Sequence, residues 1–123
     1  MFWKKESKAD RPDINWYNLT SIDQLQSIKK ESESQPVLIY KHSTRCGISS
    51  MVLGRLEREW TEELGGMKSY FLDLISYREV SNAIQEVFGV YHESPQVILI
   101  KDGKAVYNAS HMAISAEALK SNQ

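Results

Sequence analysis

The 123-residue chain is predicted to form an α/β domain of order β-α-β-α-β-α-β-β-α, with a central mixed sheet of four to five strands flanked by helices. Three observations predict it. Short apolar runs alternate with segments whose apolar residues recur every three or four positions, the pattern of strands joined by helical crossovers. The run Val37-Leu38-Ile39-Tyr40 is nearly continuous in apolar character, as expected of a strand covered on both faces. Near the C-terminus, Asp102-Gly103 separates two strand-like segments and is a turn pair that favours positive φ and a tight hairpin.

Residues 1–13 are charged and aperiodic and read as a flexible N-terminal arm, leaving 14–123 as one domain. Trp16 to Leu19 is a short first strand. Ser21 and Gln24 have capping-box spacing, and Ile22, Leu25 and Ile28 give a helix that ends in the polar tract before Pro36. Val37 to Lys41 is the second strand. Ile48, Val52, Leu56, Trp60 and Leu64 then repeat every four residues, predicting one core-facing helical stripe closed by Gly65-Gly66. Tyr70 to Leu74 is the third strand, followed by a capping box of Ser76 and Glu79 ahead of Val80, Ala83, Ile84, Val87 and Phe88. Gln96 to Ile100 and Ala105 to Tyr107 form the hairpin, and Ile114 to Leu119 a closing helix capped by Ser115.

Composition narrows the function. A chain of this length buries roughly two-thirds of its unfolded surface and needs no covalent staple. Its single cysteine excludes an intramolecular disulfide. The start Met1-Phe2-Trp3-Lys4-Lys5-Glu6 leads into polar sequence, unlike an apolar signal-peptide core, so the expected location is the reducing cytoplasm. Apolar runs fall far short of the roughly twenty residues of a membrane helix, so no membrane partner is expected. With 15 Lys and Arg interspersed among 16 Asp and Glu, the net charge is −1 and there is no basic stripe for nucleic acid. No His, Cys and carboxylate set has metal-ligand spacing, so no metal site is expected.

The cysteine is where the chemistry points. Cys46 lies between the second strand and the following helix, among Thr44, Arg45, Gly47, Ser49 and Ser50 rather than aliphatic residues. Backbone N–H groups at a helix N-terminus favour a thiolate, and Arg45 pushes the same way. Gly47 and Ile48 are expected to offer N–H groups to the sulfur, and Ser49 to donate a hydroxyl hydrogen bond or else serve as an ordinary first-turn serine. Arg45 is alternatively a partner for a carboxylate on a bound thiol. His42 and His111 are candidate proton donors to a leaving sulfur, although loop histidines more often have no such role.

The element order is that of the thioredoxin fold, and two details resemble that superfamily further. Cys46 opens the helix after the second strand, and Ser94-Pro95 precedes the fourth strand, where the superfamily places a cis-proline beside the thiol. Ser94, Pro95 and Gln96 are by that resemblance expected to present backbone groups to an extended substrate. The stretches Lys41 to Ser49, Phe71 to Ile75, His92 to Gln96 and Ala109 to His111 resemble the monothiol bacilliredoxin family of the bacillithiol system. The resemblance implies a cytoplasmic monothiol oxidoreductase with no bound cofactor. Its co-substrate would be bacillithiol or a similar low-molecular-weight thiol, and its partners S-thiolated cytosolic proteins. Many family members have proline after the cysteine, where this chain has Gly47.

Two other readings stand beside it. Cys46-Gly47-Ile48-Ser49 is similar to the Cys-Gly-Phe-Ser signature of monothiol glutaredoxins, which hold an iron–sulfur cluster with glutathione. However, Lys104 to His111 lacks their Gly-Gly pair and acidic residue. A non-catalytic thioredoxin-like binding module is the other. A one-cysteine peroxidase is disfavoured because the positions of its proline and threonine are Ile39 and Ser43. Serine at position 49, where a dithiol enzyme keeps its second cysteine, makes any exchange cycle monothiol.

Overall fold

The computed structural model describes residues 14–123, so the arm expected over 1–13 lies outside the described residues. The strands are β1 (Trp16–Asn18), β2 (Val37–His42), β3 (Lys68–Asp73), β4 (Gln96–Lys101) and β5 (Lys104–Ser110). The helices are α1 (Asp23–Glu31), α2 (Gly47–Glu59), α3 (Arg78–Phe88) and α4 (Ala116–Asn122), with two short 3-10 turns at Glu62–Leu64 and His111–Ala113. One five-stranded sheet has the order β1-β3-β2-β4-β5. β1 and β2 run parallel to β3, whereas β4 is antiparallel to both β2 and β5.

The sheet's pleat sorts the core into two layers. Leu38, Tyr40, Val97 and Leu99 point to one face and pack with Val52 and Leu56 of α2 and Leu119 of α4. Val37, Ile39, Ile98 and Ile100 point to the other, against Leu25 and Ile28 of α1 and Val80 and Ile84 of α3. All six residues of β2 are buried; the apolar run Val37 to Tyr40 predicted this for the first four, whereas His42, read as a loop residue, ends the strand in the interior.

Local signals account for most element ends. Gln24 Oε1 accepts the N–H groups of Thr20 and Ser21 at 2.7 and 3.0 Å, the back-reaching half of a capping box, but Ser21 caps no N–H of α1 and Ile22, expected on its apolar stripe, precedes the helix and is 48% exposed. Ser115 Oγ accepts the Ala118 N–H at 3.1 Å. Gly89 ends α3 in the left-handed region (φ 70°), and Asp102 and Gly103 form the hairpin turn with φ of 52° and 79°.

Two expectations need correction. α2 stops at Glu59, and Trp60 and Leu64 are buried from an extended residue and a separate 3-10 turn. Ile48 is 45% exposed rather than part of a core stripe. A strict four-residue repeat advances about 40° beyond a full turn at each step, so five such positions wind around the helix and cannot share one face. Ser76 does not cap α3. Its hydroxyl donates to Asp73 Oδ2 at 3.0 Å, and the Asp73 carboxylate also takes the Ile75 N–H at 3.2 Å.

Candidate functional site

Strand register gathers the site. His42 pairs with Asp73 at the end of β2 and β3, Lys41 pairs with Gln96 at the start of β4, and Gln96 pairs with Ser110 at the end of β5. The loops after His42, after Asp73, before Gln96 and after Ser110 therefore share one edge of the sheet. Cys46, the Ser94-Pro95 peptide and His111 lie on three of them. The Ser94-Pro95 bond is cis.

Ser43 to Cys46 is a tight turn in which the Cys46 N–H donates to the Ser43 carbonyl at 3.2 Å and the Arg45 N–H to Ser43 Oγ at 3.3 Å. Thr44 and Arg45 are exposed at its tip. Cys46 follows as the N-cap of α2, with extended backbone angles (φ −114°, ψ 114°), and is partly exposed. No side chain caps the helix, so the thiol stands where a serine or aspartate oxygen would normally accept a first-turn N–H. The Ser49 N–H returns to the Cys46 carbonyl at 3.0 Å. Those of Gly47 and Ile48, both on exposed residues, have no protein acceptor among the described residues. These are donors of the first helical turn, which has no intrahelical acceptor to offer them.

Proline fits at position 47. A Cβ there meets nothing within 4 Å, the preceding residue is already extended as a pre-proline residue must be, and the N–H removed has no protein acceptor. Gly47→Pro is expected to stabilise the fold by about 0.4–1 kcal/mol through the unfolded chain, read as a raised melting temperature.

Ser49 faces inward. It is fully buried, its Oγ accepts the Ser43 N–H at 3.2 Å and lies 2.8 Å from His42 Nδ1, so of the two expectations, a hydroxyl on the thiol or an ordinary first-turn serine, the second is the nearer, with the hydroxyl engaged in the interior. His42 is 8% exposed and packs on Phe71 at 5.3 Å between ring centroids. Burial lowers its pKa, with the Asp73 carboxylate pulling the other way.

Beneath the first turn of α2, Tyr40 is fully buried and donates its hydroxyl to the Ser49 carbonyl at 3.0 Å. Burial pushes its pKa up to about 12, helped by the nearby Cys46 and Glu57. Arg55, further along α2, donates to the carbonyls of Met112 and Ile114 and so ties the helix to the segment after β5.

The loop before β4 is held from below by a group whose role sequence reasoning missed. Lys41 is fully buried, with Nζ 2.7 Å from His92 Nδ1 and 3.2 Å from Gln96 Oε1. Gln96, expected to present backbone to a substrate, is instead an interior residue at 1% exposure. Its side chain accepts the Glu93 N–H at 3.3 Å and donates to the Tyr91 carbonyl at 3.0 Å. Pro95 is buried, and its carbonyl accepts the His111 N–H at 3.0 Å. The exposed His111 ring lies 3.8 Å from Glu93. Lysine in an apolar strand was the available signal for the missed group, because a buried amine must find acceptors.

Burial lowers the Lys41 pKa from 10.5 to about 8. Between those values the unfolded chain binds more protons than the folded one, so this contribution to stability grows as pH rises from 8 to 10.5 and is lost progressively as pH falls back to 8. Denaturation midpoints of the wild type relative to Lys41→Met should rise across that window, and a pH-independent difference would contradict the burial of a titrating amine.

Comparison with known proteins agrees with this geometry. The family profile described as Monothiol bacilliredoxin BrxC matches residues 17–119. The chain belongs to the monothiol bacilliredoxin family. Among solved structures, a candidate oxidoreductase with a thioredoxin fold is 30% identical, with a TM-score of 0.73 over 85% of this chain and 90% of that one. The thioredoxin of Malassezia sympodialis (17% identity, TM-score 0.68, 89% of each chain) and that of Fasciola hepatica (17%, 0.66, 85% and 92%) share the fold. This bacilliredoxin family member thus has a thioredoxin fold and a thiol oxidoreductase type of function.

Proposed function

We propose that the protein is a monothiol disulfide reductase in which Cys46 removes bacillithiol from mixed disulfides on cytosolic proteins. The observation that carries this reading is the pairing of a partly exposed Cys46 at an uncapped helix start with a buried Ser49 three residues on. With a single cysteine in the chain, any disulfide that Cys46 forms must link it to another molecule.

The cycle follows from that constraint. The Cys46 thiolate attacks the sulfur of the carried thiol, a new S–S bond forms as the old one breaks, and the client leaves as a thiolate that takes up a proton. No net oxidation occurs in this step. A second, external thiol then attacks the Cys46 mixed disulfide and regenerates the thiolate. The N–H groups of Gly47 and Ile48 favour the charged sulfur in both halves. Exposed Thr44 and Arg45 border the incoming disulfide, and the Ser94-Pro95 loop borders it from the β4 side. In this reading exposed His111, on the loop after β5, supplies the proton to a leaving thiolate, and buried His42 serves to hold Ser49. Under this reading the protein works in a reducing cytoplasm, with no bound cofactor.

Mass spectrometry tests the proposal. The purified protein is incubated with a bacillithiol-loaded model protein and, in parallel, with a glutathione-loaded one. Appearance of bacillithiol's mass on Cys46 with release of the free client thiol is the expected result. Transfer from neither substrate overturns it and leaves a cluster carrier, detectable by visible absorbance, or a passive thioredoxin-like module.

A further inference from the structure

Lys41 has no part in the exchange steps, yet it is one of the largest fully buried side chains in the domain. Its strand neighbours on the same face, Val37 and Ile39, pack in an apolar layer. Among the described residues no carboxylate forms an ion pair with it. Its two acceptors are neutral and both belong to the segment around the Ser94-Pro95 peptide: His92 Nδ1 at 2.7 Å and Gln96 Oε1 at 3.2 Å. An ammonium group only donates, so His92 must accept at Nδ1 and carry its proton on Nε2. The loop has further ties, from the His92 N–H to Gln85 Oε1 at 3.0 Å on α3 and from Gln96 to Tyr91 and Glu93. Lys41 is thus the point at which β2, the strand that leads into Cys46, grips the loop before β4, which lies at the same edge of the sheet as Cys46.

Such a group is costly to keep for stability alone. A buried amine without an anion gives up hydration that two neutral acceptors only partly replace, and apolar side chains of similar size are often at least as stable in such places. Here burial has lowered the pKa to about 8. Its acceptors would not be stranded by its removal, since Gln96 Oε1 keeps the Glu93 N–H and His92 reaches solvent.

We propose that Lys41 is a positioning residue, a buried brace that sets the height and orientation of the loop backbone from His92 to Pro95 against Cys46, so that a mixed disulfide on a protein can be gripped there. This rests on the exchange reading above. The brace acts on recognition of the protein substrate and not on the thiol itself, because its contacts lie on the sheet face opposite Tyr40 and α2. Recycling of the Cys46 mixed disulfide by a small thiol needs no grip on an extended chain.

The test uses Lys41→Met and, because a core variant can fail to fold, His92→Ala at an exposed position. With the bacillithiol-loaded model protein as substrate, both variants should raise KM about tenfold while kcat and alkylation of Cys46 by iodoacetamide stay near wild type; the melting temperature should hold in Lys41→Met and fall in His92→Ala, which leaves the buried amine a single acceptor. Amide hydrogen exchange should accelerate at residues 92–94. Unchanged KM in both variants overturns the proposal, as does an equal fall in alkylation and exchange, which would place the effect at the thiol. Wild-type protein that transfers no bacillithiol overturns the exchange reading instead, and the hydrogen exchange of the loop still decides whether Lys41 is its brace.

Discussion

Cys46→Ser should abolish thiol transfer while leaving the fold intact. The side chain is partly exposed at an N-cap, the position at which serine is among the preferred residues, and the extended backbone there (φ −114°, ψ 114°) suits it. The serine oxygen is then free to accept a first-turn N–H, so the melting temperature should hold or rise slightly. An alcohol at neutral pH is not an effective nucleophile toward a disulfide, and no second cysteine stands in the chain to replace it. Transfer of bacillithiol's mass to the variant, or release of client thiol at the wild-type rate, would show that the exchange takes place elsewhere. The measurement is the same mass spectrum used for the wild type, with a thermal melt to confirm folding.

Tyr40→Ala should be among the most damaging single changes at the site. Tyr40 sits in the middle strand, fully buried, with Phe71 stacked at 6.2 Å and Trp16 edge-on at 6.0 Å. Truncation of a buried aromatic leaves a cavity and costs about 3–5 kcal/mol, a large share of the roughly 5–15 kcal/mol that holds a domain together. It also removes the hydroxyl from the Ser49 carbonyl, the contact that seats the first turn of α2 under Cys46. Chemical denaturation should therefore show a much lower midpoint, and Cys46 exchange should slow together with it. Tyr40→Phe separates the two effects, because it keeps the packing and loses one hydrogen bond, about 1 kcal/mol.

The phenylalanine variant also carries a pH signature. The Tyr40 pKa stands near 12 in the folded protein against 10 in the open chain, so the stability it contributes is complete below pH 10 and lost as pH rises toward 12. That part of the alkaline loss should be missing from Tyr40→Phe. If the two proteins lose stability in parallel between pH 10 and 12, the hydroxyl is not buried as described.

Features carried by neighbouring residues were legible before any coordinates. The apolar run of β2, the Asp102-Gly103 turn, the Ser115 cap and the place of Cys46 at a strand-to-helix junction each depend on backbone preferences within a few residues. The family resemblance was legible for the same reason, since its motifs are contiguous stretches. Other features depend on who meets whom across the sheet. Ile48 belongs to a four-residue repeat and yet is exposed, because winding around α2 carries it off the face that Val52 and Leu56 bury. Ser49 has the spacing of a thiol partner, but its rotation into the core gives it to His42.

Composition and residue order were enough to settle the single thiol, the order of elements and the impossibility of an internal disulfide. Tertiary structure alone decided that β4 runs antiparallel to β2, which brings Gln96 opposite Lys41 although 55 positions separate them. It decided too that a lysine in an apolar strand holds His92, and that Tyr40 supports the helix start from below. These contacts are long in sequence and short in space, and only the register of the sheet converts one into the other.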